Sequence, residues 1–68
     1  FPYLFEGTLR SNLDRPRTRP DPALEAALHA VGLRKSLDFA VAEGGTNLSL
    51  GERQLVCLAR VIAAEKRI

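Results

Sequence analysis

The 68-residue chain contains no tryptophan, no methionine, one cysteine, one histidine and only four aromatic residues. A single thiol, Cys57, cannot staple the chain to itself, so the disulfide framework that supports many small domains is excluded. One cysteine and one histidine make no zinc set and no nucleophile–histidine arrangement. No run approaches the ~18 uncharged apolar residues of a membrane span. The N-terminus lacks the basic, apolar and small-residue order of a signal peptide. What is abundant is leucine and alanine, eleven and nine residues, which suit helix packing. Ordering costs roughly 1.5 kcal/mol per residue, so a chain this short sits near the lower limit for a single core. It begins at Phe1 rather than Met and ends on Ile68 directly after Glu65-Lys66-Arg67, and is expected to be a piece of something larger.

Net charge is +2, from eight arginines and two lysines against eight acids. The basic excess gathers in the Arg/Pro loop 15–20, where three arginines alternate with proline and threonine. Nucleic-acid binding would favour a basic helix stripe or aromatics interleaved for stacking. The aromatics lie elsewhere, at Phe1, Tyr3, Phe5 and Phe39. The cluster therefore reads as a solvated linker, and no nucleic-acid partner is expected.

Along the chain, Pro2 and Gly7 frame an extended aromatic segment, and Thr8 can cap a short helix through Leu13 with Leu9 and Leu13 inward. Asp21 reads as the next cap, with Pro22 at the first helical position. Leu24, Ala27, Leu28 and Val31 follow at i, i+3, i+4 and i+7, and Gly32 supplies the stop. His29 lies off that stripe and is expected to be partly exposed, without a ligand role. Leu33–Ala42 is consistent with a helical turn, or with a short extended piece at Phe39-Ala40-Val41. Glu43-Gly44-Gly45-Thr46-Asn47 is a loop whose glycines and Asn tolerate positive φ.

The most informative stretch is Leu48-Ser49-Leu50-Gly51-Glu52-Arg53-Gln54. Ser49 and Glu52 form a capping box just before the apolar run Leu55, Leu58, Ala59 and Ile62. Val56, Val61 and Ala63 make that helix apolar on a second side, so it is expected to be buried in a larger body. Cys57 is expected to be a small buried thiol. A glycine loop feeding a serine-capped helix is also a ready anion site, because unpaired amides and the helix dipole point at it. Ser49 Oγ and the Gly51 N–H would be the donors, and the missing Cβ of Gly51 would let a phosphate approach. Equally, Ser49 could do no more than cap its own helix. Glu52 would repel a phosphate unless turned back onto the Ser49 amide. There is no Gly-x4-Gly-Lys-Ser/Thr loop and no Gly-x-Gly-x-x-Gly.

Leu48–Gln54 resembles the signature motif of ATP-binding-cassette nucleotide-binding domains, commonly Leu-Ser-Gly-Gly-Gln. Leu4-Phe5-Glu6-Gly7-Thr8-Leu9-Arg10-Ser11-Asn12-Leu13-Asp14 is similar to the stretch after that family's Q-loop. Glu43–Asn47 resembles the loop before the signature, Leu55–Val61 the helix behind it, and Arg67-Ile68 the opening of the Walker B strand. Order and spacing agree over nearly the whole chain, most closely with the C subfamily, the multidrug-resistance-associated type, in its second nucleotide-binding domain. The resemblance implies a mainly α fold, with residues 1–68 forming a fragment of the helical, signature-bearing subdomain. It implies a part in ATP-driven transport, with a second nucleotide-binding domain and the coupling helices of transmembrane domains as partners. Phe1–Phe5 and the first short helix are the candidates for the coupling contact. It also implies a place at the cytoplasmic face of a membrane.

In that family one domain holds ATP and the signature of the other contacts its γ-phosphate. Carried over, Ser49 and Gly51 would be the donors, Leu48 and Leu50 would shape the turn, and Glu52 would stand at the glutamine position. Leu50 for glycine and Glu52 for glutamine are departures that fit a site turning ATP over slowly. The segment between Gly32 and Glu43 is shorter than in relatives, and only Leu37-Asp38 match there. Walker A, Walker B, the Q-loop glutamine, the switch histidine and the magnesium ligands are not in the chain, which alone should be inactive. The alternative is a stand-alone helical protein-interaction module without a nucleotide role.

Overall fold

The computed structural model describes residues 3–14 and 18–65. Three helices account for most of it: α1 (Leu9–Leu13), α2 (Asp21–Val31) and α3 (Leu50–Glu65). Two short strands, β1 (Gly7–Thr8) and β2 (Ala40–Val41), pair antiparallel, with Gly7 opposite Val41 and Thr8 opposite Ala40. The expectation of a mainly α fold holds, with this small ribbon added to it.

Five residues are too few to hold a helix unaided, and α1 is anchored at its start. Thr8 Oγ1 accepts from the Ser11 N–H at 3.1 Å, and Ser11 Oγ accepts from the Thr8 N–H at 3.1 Å. The next orphan amides turn to the β2 side of the molecule: Leu9 N–H reaches the Phe39 carbonyl at 3.1 Å and Arg10 N–H the Leu37 carbonyl at 2.9 Å. Leu9 and Leu13 are buried, as their spacing predicts.

Helix α2 starts one residue earlier than expected. Pro20 is its N-cap, with extended backbone, and Asp21 is the first helical residue. The Asp21 carboxylate is drawn away from a capping role by Arg10, which donates to both of its oxygens at 2.9 Å. Leu24, Ala27 and Leu28 are buried and Val31 is half-buried, while His29 is exposed. Gly32 ends the helix at φ 78°, where its N–H and that of Leu33 close onto the last carbonyls.

Residues 33–39 form no helix, and the extended alternative at residues 40–41 is the one adopted. Leu33 and Leu37 enter the core from this loop. Helix α3 then packs across both α1 and α2. Its buried residues are Val56, Ala59 and Ala63, with Leu55 and Ile62 partly covered. Leu58, expected on the inner face, is 50% exposed, and Val61 is 51% exposed. Two apolar faces compete here; the one carrying Val56, Ala59 and Ala63 is covered, and the described residues provide cover for that side only.

The C-terminal side of α1 is fastened by polar groups. Asn12 is buried, accepts from Phe5 N–H at 2.8 Å, and donates to the Phe5 and Thr8 carbonyls at 2.9 and 3.0 Å. The buried Asp14 carboxylate accepts from Arg19 N–H at 2.7 Å and pairs with the Arg19 guanidinium at 3.2 Å. Arg19 also donates to the Ala64 carbonyl at 3.3 Å. This arginine of the 15–20 loop is thus engaged within the chain. Arg15 and Arg17 lie outside the described residues, as do Phe1 and the Arg67-Ile68 strand opening.

Candidate functional site

The loop from Ala42 to Ser49 delivers the start of α3 to the surface. Asn47 ties it to β2, accepting from Ala42 N–H and donating to the Ala40 carbonyl, both at 2.9 Å. Gly44 N–H donates to the Leu4 carbonyl at 2.9 Å. Gly45 has φ +71°, and a Cβ there would lie 2.6 Å from Leu4 Cδ1 and 3.0 Å from Arg53 Cδ. Only glycine lets this loop lie so close to the core. Leu48 is buried and donates its N–H to the Gly45 carbonyl at 3.0 Å, so its side chain anchors the turn from inside.

The expected capping box is present in both directions. Glu52 N–H donates to Ser49 Oγ at 3.1 Å, and Ser49 N–H donates to Glu52 Oε1 at 3.0 Å. Arg53 N–H takes the Ser49 carbonyl at 2.9 Å. The N–H groups of Leu50 and Gly51 have no partner among the described residues. Leu50 is 65% exposed, and beyond its chain neighbours and its own helix backbone no described residue lies within 4 Å of where a Gly51 Cβ would be. The site thus presents one serine hydroxyl and two unspent amides at the positive end of a sixteen-residue helix, with open space in front.

Glu52 does not face that space as a bare charge. Its Oε1 is turned back onto Ser49, and its Oε2 lies 3.6 Å from Lys35 Nζ. The Ser49 N–H holds its carboxyl below the usual carboxylate range, and the Lys35 charge adds to that pull. Lys35 in turn stands 4.5 Å over the Phe39 ring. Neither Lys35 nor Phe39 is singled out by the sequence pattern. The available signal is that Lys35 is one of only two lysines in the chain.

Of the five residues expected at the site, Ser49, Leu50, Gly51 and Glu52 share the surface, while the Leu48 side chain belongs to the core. Beside them runs an open groove of about 390 Å³, lined by Tyr3, Gly44, Leu50, Arg53, Gln54 and Cys57. Cys57, expected to be buried, is only half-buried there. Arg53 Nε is buried without a hydrogen-bond partner among the described residues. Tyr3 Oη donates to Glu43 at 3.1 Å and packs edge-on against Phe5 with ring centres 5.0 Å apart. Among the described residues no group of three or more His, Cys, Asp or Glu is placed to hold a metal ion, and no helix is long and apolar enough to cross a membrane.

No family model matches the chain. Curated relatives do. It is 45% identical to mouse (Mus musculus) ATP-binding cassette sub-family C member 4 over 74 aligned positions, covering 98% of this chain and 6% of that protein. It is 45% identical to mouse ATP-binding cassette sub-family C member 3, covering 98% of this chain and 5% of that protein. It is 42% identical to ABC transporter C family member 3 of Arabidopsis thaliana, again over 98% of this chain and 5% of that protein. The chain therefore spans about a twentieth of the length of the curated relatives it matches. Seventy-four aligned positions exceed the 68 residues available, so at least six fall where this chain has a gap. Across nearly its whole length, the chain belongs by sequence with the C subfamily of ATP-binding-cassette transporters.

Proposed function

We propose that the chain is part of a nucleotide-binding domain of a C-subfamily transporter, and that Ser49 Oγ and the Gly51 N–H contact the γ-phosphate of ATP held by a second such domain. The observation that carries this reading is the pair of unspent amides at Leu50 and Gly51, beside a serine hydroxyl and under open space. A helix start with these features favours an anion. Gly51 strengthens the point. Glycine weakens a helix by about 0.5–1 kcal/mol relative to alanine, and no neighbour among the described residues requires it. Its value lies in what approaches from outside.

ATP, with its magnesium, would supply the phosphate to be transferred. The residues of this chain would bind and orient that phosphate and meet charge developing on it with fixed dipoles. Ser49 hydrogen-bonds within the chain already, so a phosphate would be added to its cap geometry without dismantling it. Leu48 would hold the turn, and Leu50 would lie at the domain–domain contact. Coupling of ATP binding to transport would run through surfaces facing the transmembrane domains, with the exposed Tyr3 and Phe5 as candidates. The site would then stand at the cytoplasmic face of the membrane.

The test is Ser49→Arg in the full-length protein that carries this segment. Crosslinking across the two domains should lose its ATP dependence, while nucleotide still binds at the phosphate loop. Unchanged crosslinking would remove Ser49 from the contact. A second reading, a helical protein-interaction module, draws on the exposed Leu50, Leu58 and Val61 along α3. It predicts association that is indifferent to ATP.

A further inference from the structure

The site contains a cation that the motif does not name. We propose that Lys35 is a positioning residue of the phosphate site: it neutralises Glu52 and holds that carboxylate on the Ser49 amide, so that an acid at this position does not repel the incoming phosphate. The inference rests on the phosphate reading above and deepens it.

Three observations converge on it. The Glu52 carboxylate is divided between two donors, Ser49 N–H at 3.0 Å and Lys35 Nζ at 3.6 Å, so both of its oxygens are engaged within the chain. The Lys35 ammonium is itself steered, lying 4.5 Å over the Phe39 ring, and its side chain is only 26% exposed. A cation held in this way loses less freedom on pairing than a solvated surface lysine, and its charge is less screened. Finally, the loop that delivers Lys35 follows an irregular path anchored by the buried Leu33 and Leu37, and it sets Lys35 beside α3.

The role predicts coupling rather than a simple loss. In the full-length protein, Lys35→Met should raise the ATP concentration needed for half-maximal crosslinking of the two domains about ten-fold, the effect of one uncompensated charge a few ångströms from a phosphate. With Glu52→Gln already in place, the same Lys35→Met change should have less than about a two-fold effect, because no charge remains to be answered. Lys35→Arg should restore near-native behaviour. Nucleotide binding at the phosphate loop, unchanged in every variant, serves as the control for folding. An equal loss in both backgrounds, or no loss in the native one, overturns the proposal while leaving the phosphate reading standing. Native crosslinking in Ser49→Arg would overturn both.

Discussion

The polar groups around α1 and those at the start of α3 are wired in opposite ways. Around α1 they close on one another: Asn12 makes three hydrogen bonds, Asp14 binds Arg19, and Arg60 donates to the Asn12 and Tyr3 carbonyls at 2.9 and 3.0 Å. Arg10 joins α1 to Asp21 and to Asp38 in the same manner, and this double pairing raises its pKa above the ordinary arginine value, Asp21 contributing most. At the start of α3 two amides are left over, a leucine is exposed and a glycine stands in open space. Buried polar groups without partners cost about 1–3 kcal/mol each, which is why the first region is saturated. The second is at the surface, where unspent donors cost little until something displaces the water. One region spends its hydrogen bonds on the fold, and the other leaves donors at the surface, where a phosphate is proposed to bind.

Asn12→Ala should therefore be the most damaging single change. It removes the side-chain acceptor of the Phe5 N–H and weakens the support of two carbonyls, in a side chain that is almost wholly enclosed. The expected loss is about 2–4 kcal/mol. A chain of this size has roughly 3–10 kcal/mol in total, so the variant should lose a large fraction of its stability. Urea denaturation followed by circular dichroism gives the number, and a shift under about 0.5 kcal/mol would mean the network is slack.

Gly51→Ala tests the other region and should act with opposite sign on stability and function. A Cβ there meets no neighbour, so the helix should gain about 0.5–1 kcal/mol. The same methyl group should obstruct phosphate approach and weaken ATP-dependent crosslinking in the full-length protein. A stabilised helix with undiminished crosslinking would show that the open face of Gly51 is not used.

How much of this was legible beforehand follows from the range of each interaction. The caps at Thr8, Gly32 and Ser49 are local, set by residues three or four apart, and the sequence pattern finds them. Helix α2 has one apolar stripe, so its buried face was readable. Helix α3 has two, and which one faces inward is decided by its packing against α1 and α2, a tertiary matter. The strands are two residues long, too short for alternation to register. Asp21 misled because its competing partner, Arg10, comes from another helix. Lys35 and Glu52 are separated by seventeen positions and by a loop of undecided conformation, so nothing local announces their meeting.

The smallest effect concerns Glu52 and acid. Its carboxyl lies below the ordinary glutamate value of about 4.5 because it accepts the Ser49 N–H, with Lys35 assisting. A folded-state pKa below the unfolded one means that the unfolded chain binds the extra proton first. The stabilisation is therefore complete above the unfolded value and is lost as pH falls through the lower, folded value. Near neutrality the cap of α3 should be indifferent to pH, and its first turn should fray only as pH falls below the ordinary glutamate value and through the lower, folded one. The Ser49 amide proton is the natural reporter, since its chemical shift follows the charge on the oxygen it donates to. In the native chain it should titrate with a midpoint below that of an exposed glutamate, and Lys35→Met should move the midpoint part of the way back. Glu52→Gln should abolish the titration. A midpoint at the ordinary value would mean that Glu52 leaves the cap in solution, and the start of α3 would then carry an exposed negative charge just where a phosphate is proposed to bind.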